Sequence, residues 1–243
     1  DLHSTSRRQR QMCIRDRIEI GKGGTFVKNQ RLGANVLSVQ IIPNVDAGLA
    51  TQLGLTSAQR SLGIITADCD DVTYVALDEA TKTAEVDVVY AKSFYGGVGN
   101  ASTKLAGEVI GILAGPSPAE ITSGLETAVH VITEEASFIS ANEDGSIPYF
   151  AHVISRSGRF LSKSAEINEG EAIAYLIAPP CEAMVGLDAA LKAADVRLCV
   201  FYGPPSETNF GGGLLTGSQS ACKAACTAFA QAIQNVADNP LSY

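Results

Sequence analysis

The chain repeats itself. At an offset of 110 residues, Leu77–Val86 (LDEATKTAEV) lies over Leu187–Val196 (LDAALKAADV), and Leu, Asp, Ala, Lys, Ala and Val coincide without a gap. Each copy reads as the end of a helix running into a strand. A glycine-rich stretch follows each time, Tyr95–Gly99 in the first copy and Phe210–Gly213 in the second. Such self-similarity means that one supersecondary unit is used twice. The 243 residues then divide into two α/β units of roughly 100 residues each. The polar, turn-rich stretch Asn142–Ser146 marks the boundary between them.

Local signals fill in the units. Val36–Ile42 is rich in branched residues and reads as a strand, and Ser61–Thr66 as a second. Asp46–Leu53 suits a short helix. Asp70 or Asp71 can cap a helix that runs to about Thr83. Glu85–Tyr90 and Glu108–Leu113 are further strands, separated by the loop Tyr95–Asn100. Ser117, Pro118 and Glu120 form a capping-box arrangement, which starts a helix with Ile121, Leu125, Ala128 and Ile132 on one face. A last helix spans about Ser218 to Val236, with Cys222, Cys226, Phe229, Ile233 and Val236 as its stripe, and Asn239-Pro240 ends it. Strands paired with two helices per unit predict an α+β fold, a ferredoxin-like sandwich with helices on one face.

Charge and composition narrow the function. Residues 1–31 carry a balance of +5 and the remainder −13, giving the net −8. An acidic body repels phosphate backbones and favours small cations, so no nucleic-acid partner is expected. No apolar run reaches the ~18 residues of a membrane-spanning helix. The basic excess lies mostly in Ser4–Arg17, which has neither apolar periodicity nor a signal-peptide core. It reads naively as a nucleic-acid arm. It also resembles translated sequencing-adapter read-through, so residues 1–31 are set aside as a non-native or disordered tail, with a native start near Asn29–Leu32. The six cysteines form no C-x-x-C pair, and Cys222 and Cys226 read as small buried residues. No metal and no cofactor are expected. Only His3, His130 and His152 are present, with no nucleophile motif, which argues against a catalyst.

Several longer segments resemble a known family. LDAALKAADVRL resembles the helix-to-strand signature of the bacterial microcompartment shell domain. Residues 60–82 (RSLGIITADCDDVTYVALDEATK), 107–120 (GEVIGILAGPSPAE), 155–165 (SRSGRFLSKSA), 174–184 (AYLIAPPCEAM) and 204–226 (PPSETNFGGGLLTGSQSACKAAC) resemble tandem-domain shell proteins of ethanolamine-utilising compartments. The resemblance covers nearly everything from Leu32 to Pro240. It implies two tandem, circularly permuted shell domains, 32–141 and 142–243. It further implies a homotrimer shaped as a pseudo-hexamer, packed edge to edge with other shell proteins in a microcompartment shell in the cytoplasm. Such a tile is not an enzyme.

Site residues follow from the same resemblance. Small pores within each subunit bind ethanolamine, and the candidates are Asp70, Asp71, Glu108 and Phe138. A primary ammonium with a hydroxyl needs one or two carboxylates and further acceptors. Asp70 and Asp71 have capping as a competing role, and Phe138 would otherwise read as core. Tyr95, Gly96 and Gly97, with Thr208, Asn209, Phe210 and Gly211, are placed at loops around a gated central pore. The bland reading of these loops is a flexible surface turn. Lys82 and Lys192 occupy equivalent repeat positions and are placed at the tile edge, or equally as solvated residues near a helix C-terminus. The alternatives are a tile of another catabolic compartment and a metabolite-sensing trimeric regulator.

Overall fold

The computed structural model describes residues 27–93, 109–204 and 210–242. Tyr95, Gly96, Gly97, Glu108, Thr208 and Asn209 lie outside these residues, as does the chain before Val27. The described elements are β1 (Arg31–Leu32), β2 (Val36–Ile42), α1 (Ala47–Gln52), β3 (Ser61–Ala67), α2 (Asp70–Thr83), β4 (Asp87–Ser93), β5 (Val109–Gly115) and α3 (Pro118–His130). A single π turn, Val131–Glu135, closes α3. Then come β6 (Phe138–Ser140), β7 (Pro148–Ile154), α4 (Arg159–Ala165), β8 (Ala172–Ala178), α5 (Pro180–Ala193), β9 (Val196–Tyr202), β10 (Gly211–Gly217) and α6 (Gln219–Asp238). Among the described residues no helix is long and apolar enough to cross a membrane.

Two antiparallel sheets carry the two repeats. The first has the order β2-β3-β5-β4 and the second β1-β6-β7-β8-β10-β9. Their inner four strands match one for one, β2-β3-β5-β4 against β7-β8-β10-β9, as the repeat requires. The helices α2 and α5 begin 110 residues apart, at Asp70 and Pro180. Two boundaries differ from the sequence reading. Strand β6 precedes Asn142 yet pairs with β7, and β1 pairs with β6, so both extend the second sheet. Residues just before Leu32 also join the fold: the Lys28 ammonium binds Asp238 at 2.7 Å and Asn29 accepts from Gln234 at 2.7 Å.

The glycine-rich stretch after β9 needs correcting. Gly211 and Gly212 are not loop residues; they open β10, which pairs with β8 on one side and β9 on the other. A Cβ on Gly212 would lie 1.8 Å from the Leu176 carbonyl oxygen, and one on Gly213 would lie 2.4 Å from that of Val200. These glycines let a central strand sit tightly between two neighbours. The capping box is half made: Ser117 accepts from the Glu120 N–H at 3.3 Å, but the Glu120 carboxylate accepts instead from the Glu85 N–H at 2.6 Å.

Strand β8 explains how the two units join. Its sequence AIAYLIA is buried on both faces. Ala172, Ala174, Leu176 and Ala178 pack with Ala183, Leu187, Cys222 and Phe229 of α5 and α6. The alternate residues Ile173, Tyr175 and Ile177 join a second core with Val72 and Val75 of α2. Strand alternation thus presents three alanines and Leu176 to the unit's own helices, and Ile173, Tyr175 and Ile177 to the other unit. Asp78 of α2 locks the joint. It is fully buried and accepts N–H bonds from Gly158 at 2.6 Å and Leu161 at 2.8 Å, which satisfies the free donors at the start of α4.

His152 of β7 sits in the same joint, stacked on Phe150 with ring centroids 5.3 Å apart. Burial lowers its pKa below the ordinary histidine value, with Glu135 opposing and Lys82 assisting. Its neutral form is therefore the stabilising one. That stability is present above about pH 6.5 and is lost as pH falls through the lowered value, because the unfolded state takes up the proton first. His152→Phe is expected to lose less Tm than the parent protein between pH 7.5 and pH 5, as read by thermal unfolding in matched buffers.

Candidate functional site

The joint between the two units holds a pair of carboxylates. Asp70 and Asp71 are the first two residues of α2, and both are buried. They do not cap the helix. Cys69 takes the cap position without a side-chain capping bond, and Asp70 accepts from the Asp71 N–H at 3.0 Å. Negative charge at a helix N-terminus is favoured by the exposed backbone N–H groups and the macrodipole. That offsets part of the cost of desolvating two acids.

Three phenols surround the pair. The Tyr175 hydroxyl, on β8 of the other unit, donates to Asp71 Oδ1 at 2.7 Å. Tyr202, at the end of β9, stacks obliquely on Tyr175 with centroids 6.2 Å apart. Tyr74 lies one helical turn along α2. Burial pushes Tyr74 and Tyr202 up to about 12 and Tyr175 well above the ordinary tyrosine value, and the charges of Asp70 and Asp71 add to each shift. All three phenols stay protonated at neutral pH. They act as donors and aromatic walls and add no charge. The arrangement suits a small, hydrogen-bonding cation.

The other predicted residues fall as follows. Phe138 stacks on Phe150 at 5.2 Å, and Phe150 meets Tyr175 edge-on at 5.4 Å, so Phe138 reaches the acid pair through an aromatic chain. Phe210 packs edge-on against Phe138 at 6.0 Å and is buried in the chain's own core. Glu108 lies outside the described residues. The next residue, Val109, pairs with Ala67, three positions before Asp70. Lys82 pairs with Glu79 and donates to the Arg156 carbonyl at 2.8 Å, which places it at the joint. Lys192 is exposed and pairs with Asp188 at 2.7 Å. Among the described residues no group of three or more His, Cys, Asp or Glu could hold a metal ion.

Sequence reasoning missed Tyr74, Tyr175, Tyr202 and the locking Asp78. One signal was available for Tyr175. It is the single residue with a polar side chain in the otherwise aliphatic AIAYLIA, and a buried hydroxyl needs a partner.

The repeat gives a control for this site. In the second sheet one cross-strand row reads Ile177–Gly212–Tyr202, and the matching row of the first sheet reads Thr66–Ile110–Lys92. One row along, Tyr175 is matched by Ile64. At the 110-residue offset, Asp70 and Asp71 are matched by Pro180 and Cys181. The second copy therefore has no carboxylate pair and no phenols at this place.

Fold and repeat together define a tandem shell domain of bacterial microcompartments, and the BMC domain family model matches residues 61–147. The narrower kinship is close. The Clostridium perfringens bacterial microcompartment shell protein EutL is 66% identical over 89% of this chain and 100% of its own length. The Salmonella typhimurium protein of the same name is 50% identical over 85% of this chain and 94% of its own. The crystal structure of ethanolamine utilization protein EutL from Leptotrichia buccalis superposes with a TM-score of 0.87 at 72% identity, covering 89% of this chain and all of that one. The chain belongs to the EutL family of bacterial microcompartment shell proteins.

Proposed function

We propose that the chain is a non-catalytic tile of an ethanolamine-utilisation microcompartment shell, that three copies form its trimer, and that the joint at Asp70 and Asp71 binds ethanolamine. The observation that carries the ligand reading is the buried acid pair walled by protonated tyrosines. Ethanolamine offers an ammonium to the acids and a hydroxyl to the phenols, and Glu108 adds a third carboxylate. The Leptotrichia buccalis relative, an ethanolamine utilization protein, supports the choice of amine. The segments 95–100 and 206–210 then act as the gate of a central pore in this reading, with Lys192 at the tile edge.

The test is titration calorimetry of ethanolamine into the trimer, with Asp71→Asn and Glu108→Gln in parallel. Binding of one ethanolamine per chain is expected, because the second copy lacks the acids. A hydrogen bond to a charged group contributes about 1.5–3 kcal/mol, so each variant should bind about tenfold to a hundredfold more weakly. Equal heat from parent and variants would remove this site as the ethanolamine site. A stoichiometry of two per chain would show that Lys92 and Cys181 do not exclude the ligand from the second copy's position.

The trimer reading rests on α5. Helix α2 buries Thr73, Ala76, Leu77 and Ala80 against its own unit, and α5 buries the matching Ala183, Gly186, Leu187 and Ala190. Helix α2 also buries Asp70, Asp71, Val72, Val75, Asp78 and Thr81, many of them against the other unit. The α5 counterparts Cys181, Val185, Asp188 and Leu191 are exposed in the single chain. A second copy that offers its first sheet to α5 would repeat the internal joint, and such head-to-tail repetition closes a ring.

A further inference from the structure

We propose that Lys92 of one chain and Glu182 of its neighbour form an ion pair across the joint between chains. The chain itself then supplies, at that outer joint, the cation that the inner joint takes from solution. The inference rests on the reading that α5 docks on a second copy as α2 docks within the chain. Exposure on both sides of the outer joint supports a second copy as the occupant. Leu161, third residue of α4, is buried in the core shared by the two units, whereas Leu49, third residue of α1, is exposed. Val200 of β9 packs on that core, whereas Tyr90, its counterpart on β4, is exposed. On the helix side, α5 exposes Met184 and Val185 where α2 packs Tyr74 and Val75 into the shared core.

The repeat decides which charges meet. Tyr202 lies near the first turn of α2: its ring is 6.2 Å from that of Tyr175, whose hydroxyl reaches Asp71 at 2.7 Å. Lys92 holds the place of Tyr202 in the first sheet. It is exposed, with its ammonium 5.9 Å from the centre of the Tyr90 ring. The first turn of α5 carries one acid, Glu182. Its counterpart at the 110-residue offset is Val72, which is fully buried in the shared core. Docking therefore strips water from Glu182 and from Lys92 at the same place. A carboxylate or an ammonium buried alone is costly, and pairing the two offsets both costs. A lysine alone at a helix N-terminus would also meet the positive end of the macrodipole, which the Glu182 carboxylate counters. The two joints thus share a geometry and differ in the source of the cation. The inner joint has acids on its helix and phenols on its sheet, and takes an amine. The outer joint has an acid on its helix and a lysine on its sheet, and is complete without one.

The test is a charge-swap cycle read as trimer association, by mass photometry over a dilution series. Lys92→Glu and Glu182→Lys should each weaken association about tenfold or more, because close charge pairs in interfaces couple by at least about one order of magnitude. The double variant, which restores opposite charges, should recover most of the loss. Losses that simply add in the double variant would overturn the ion pair, as would single variants that associate like the parent. Val185→Asp, on the same face of α5, is run alongside. Dissociation by Val185→Asp with no coupling between Lys92 and Glu182 would leave the docking of α5 intact and overturn the pair alone. A trimer retained by Val185→Asp would overturn the docking, and the pair with it. Circular dichroism checks the fold of each variant. If a charge reversal prevents folding, Lys92→Met and Glu182→Gln carry the same cycle. Their losses must then fall short of adding, and strict additivity would overturn the pair.

Discussion

Replacing Gly212 with alanine is expected to abolish soluble folded protein. Gly212 has φ +153°, a conformation that L side chains rarely adopt, and its new methyl group would sit 1.8 Å from the Leu176 carbonyl oxygen. Neither obstacle can relax locally. Gly212 is paired with Ile177 of β8 on one side and with Tyr202 of β9 on the other, so a shift that frees the methyl group breaks a ladder. The same strands carry Tyr175 and the core beneath α5 and α6. Backbone strain alone costs about 1–3 kcal/mol. The steric clash adds to it, and the sum competes with a total stability of about 5–15 kcal/mol. Two other glycines grade the effect. Gly170 has φ +89° with nothing within 4 Å of a Cβ, so Gly170→Ala should show the conformational cost alone. Gly33 has an ordinary φ and open space, so Gly33→Ala should be neutral. Soluble yield and Tm of the three variants should fall in the order Gly33, Gly170, Gly212. A folded Gly212→Ala protein with parent Tm would mean that β10 does not pair as described.

The repeat was legible because a helix running into a strand writes its pattern into consecutive residues. The cap at Ser117 and the buried stripe Cys222, Cys226, Phe229 and Ile233 were legible for the same reason, since both depend on neighbours within one helix. The strand at Gly211 was not. Three glycines in a row signal a turn when local preference is the guide, and only the flanking strands β8 and β9 make an extended glycine run favourable. The acid pair was found as residue types, through resemblance. Its setting was not found, because the Tyr175 partner of Asp71 lies 104 residues away on the other unit. Strand order fixes that distance, and no local spacing encodes it. Asp78 shows the same limit. In sequence it is a helical acid with Lys82 four residues on, which reads as a solvated pair, yet its carboxylate is fully buried and caps a helix of the second unit.

Val185→Asp is expected to convert the trimer to a folded monomer. Val75 and Val185 are equivalent positions of the repeat, 110 residues apart. Val75 of α2 is 1% exposed because the second unit covers it, whereas Val185 of α5 is 44% exposed in the single chain. The monomer should therefore tolerate the charge, and circular dichroism should be unchanged. If α5 docks on a second copy as α2 docks within the chain, the aspartate is buried there without a partner. An uncompensated buried charge costs about 3–5 kcal/mol, a loss of about two to four orders of magnitude in association at each joint by the usual conversion. The receiving surface is the open face of the first sheet. Gly63 and Gly111 face α3 and α2, so Ile64, Ile110 and Ile112 face away from them, and all three are half-buried. Ile112→Asp should then break the same contact from the other side, although it lies on a different unit and element. Light scattering behind size exclusion reads both variants at micromolar concentration. Monomers from both would place α5 against the first sheet of a neighbouring chain. A trimer retained by Val185→Asp and lost by Ile112→Asp would move the docking element off α5. A trimer retained by both would mean that the chains associate through another face, and the ring would no longer follow from the repeat.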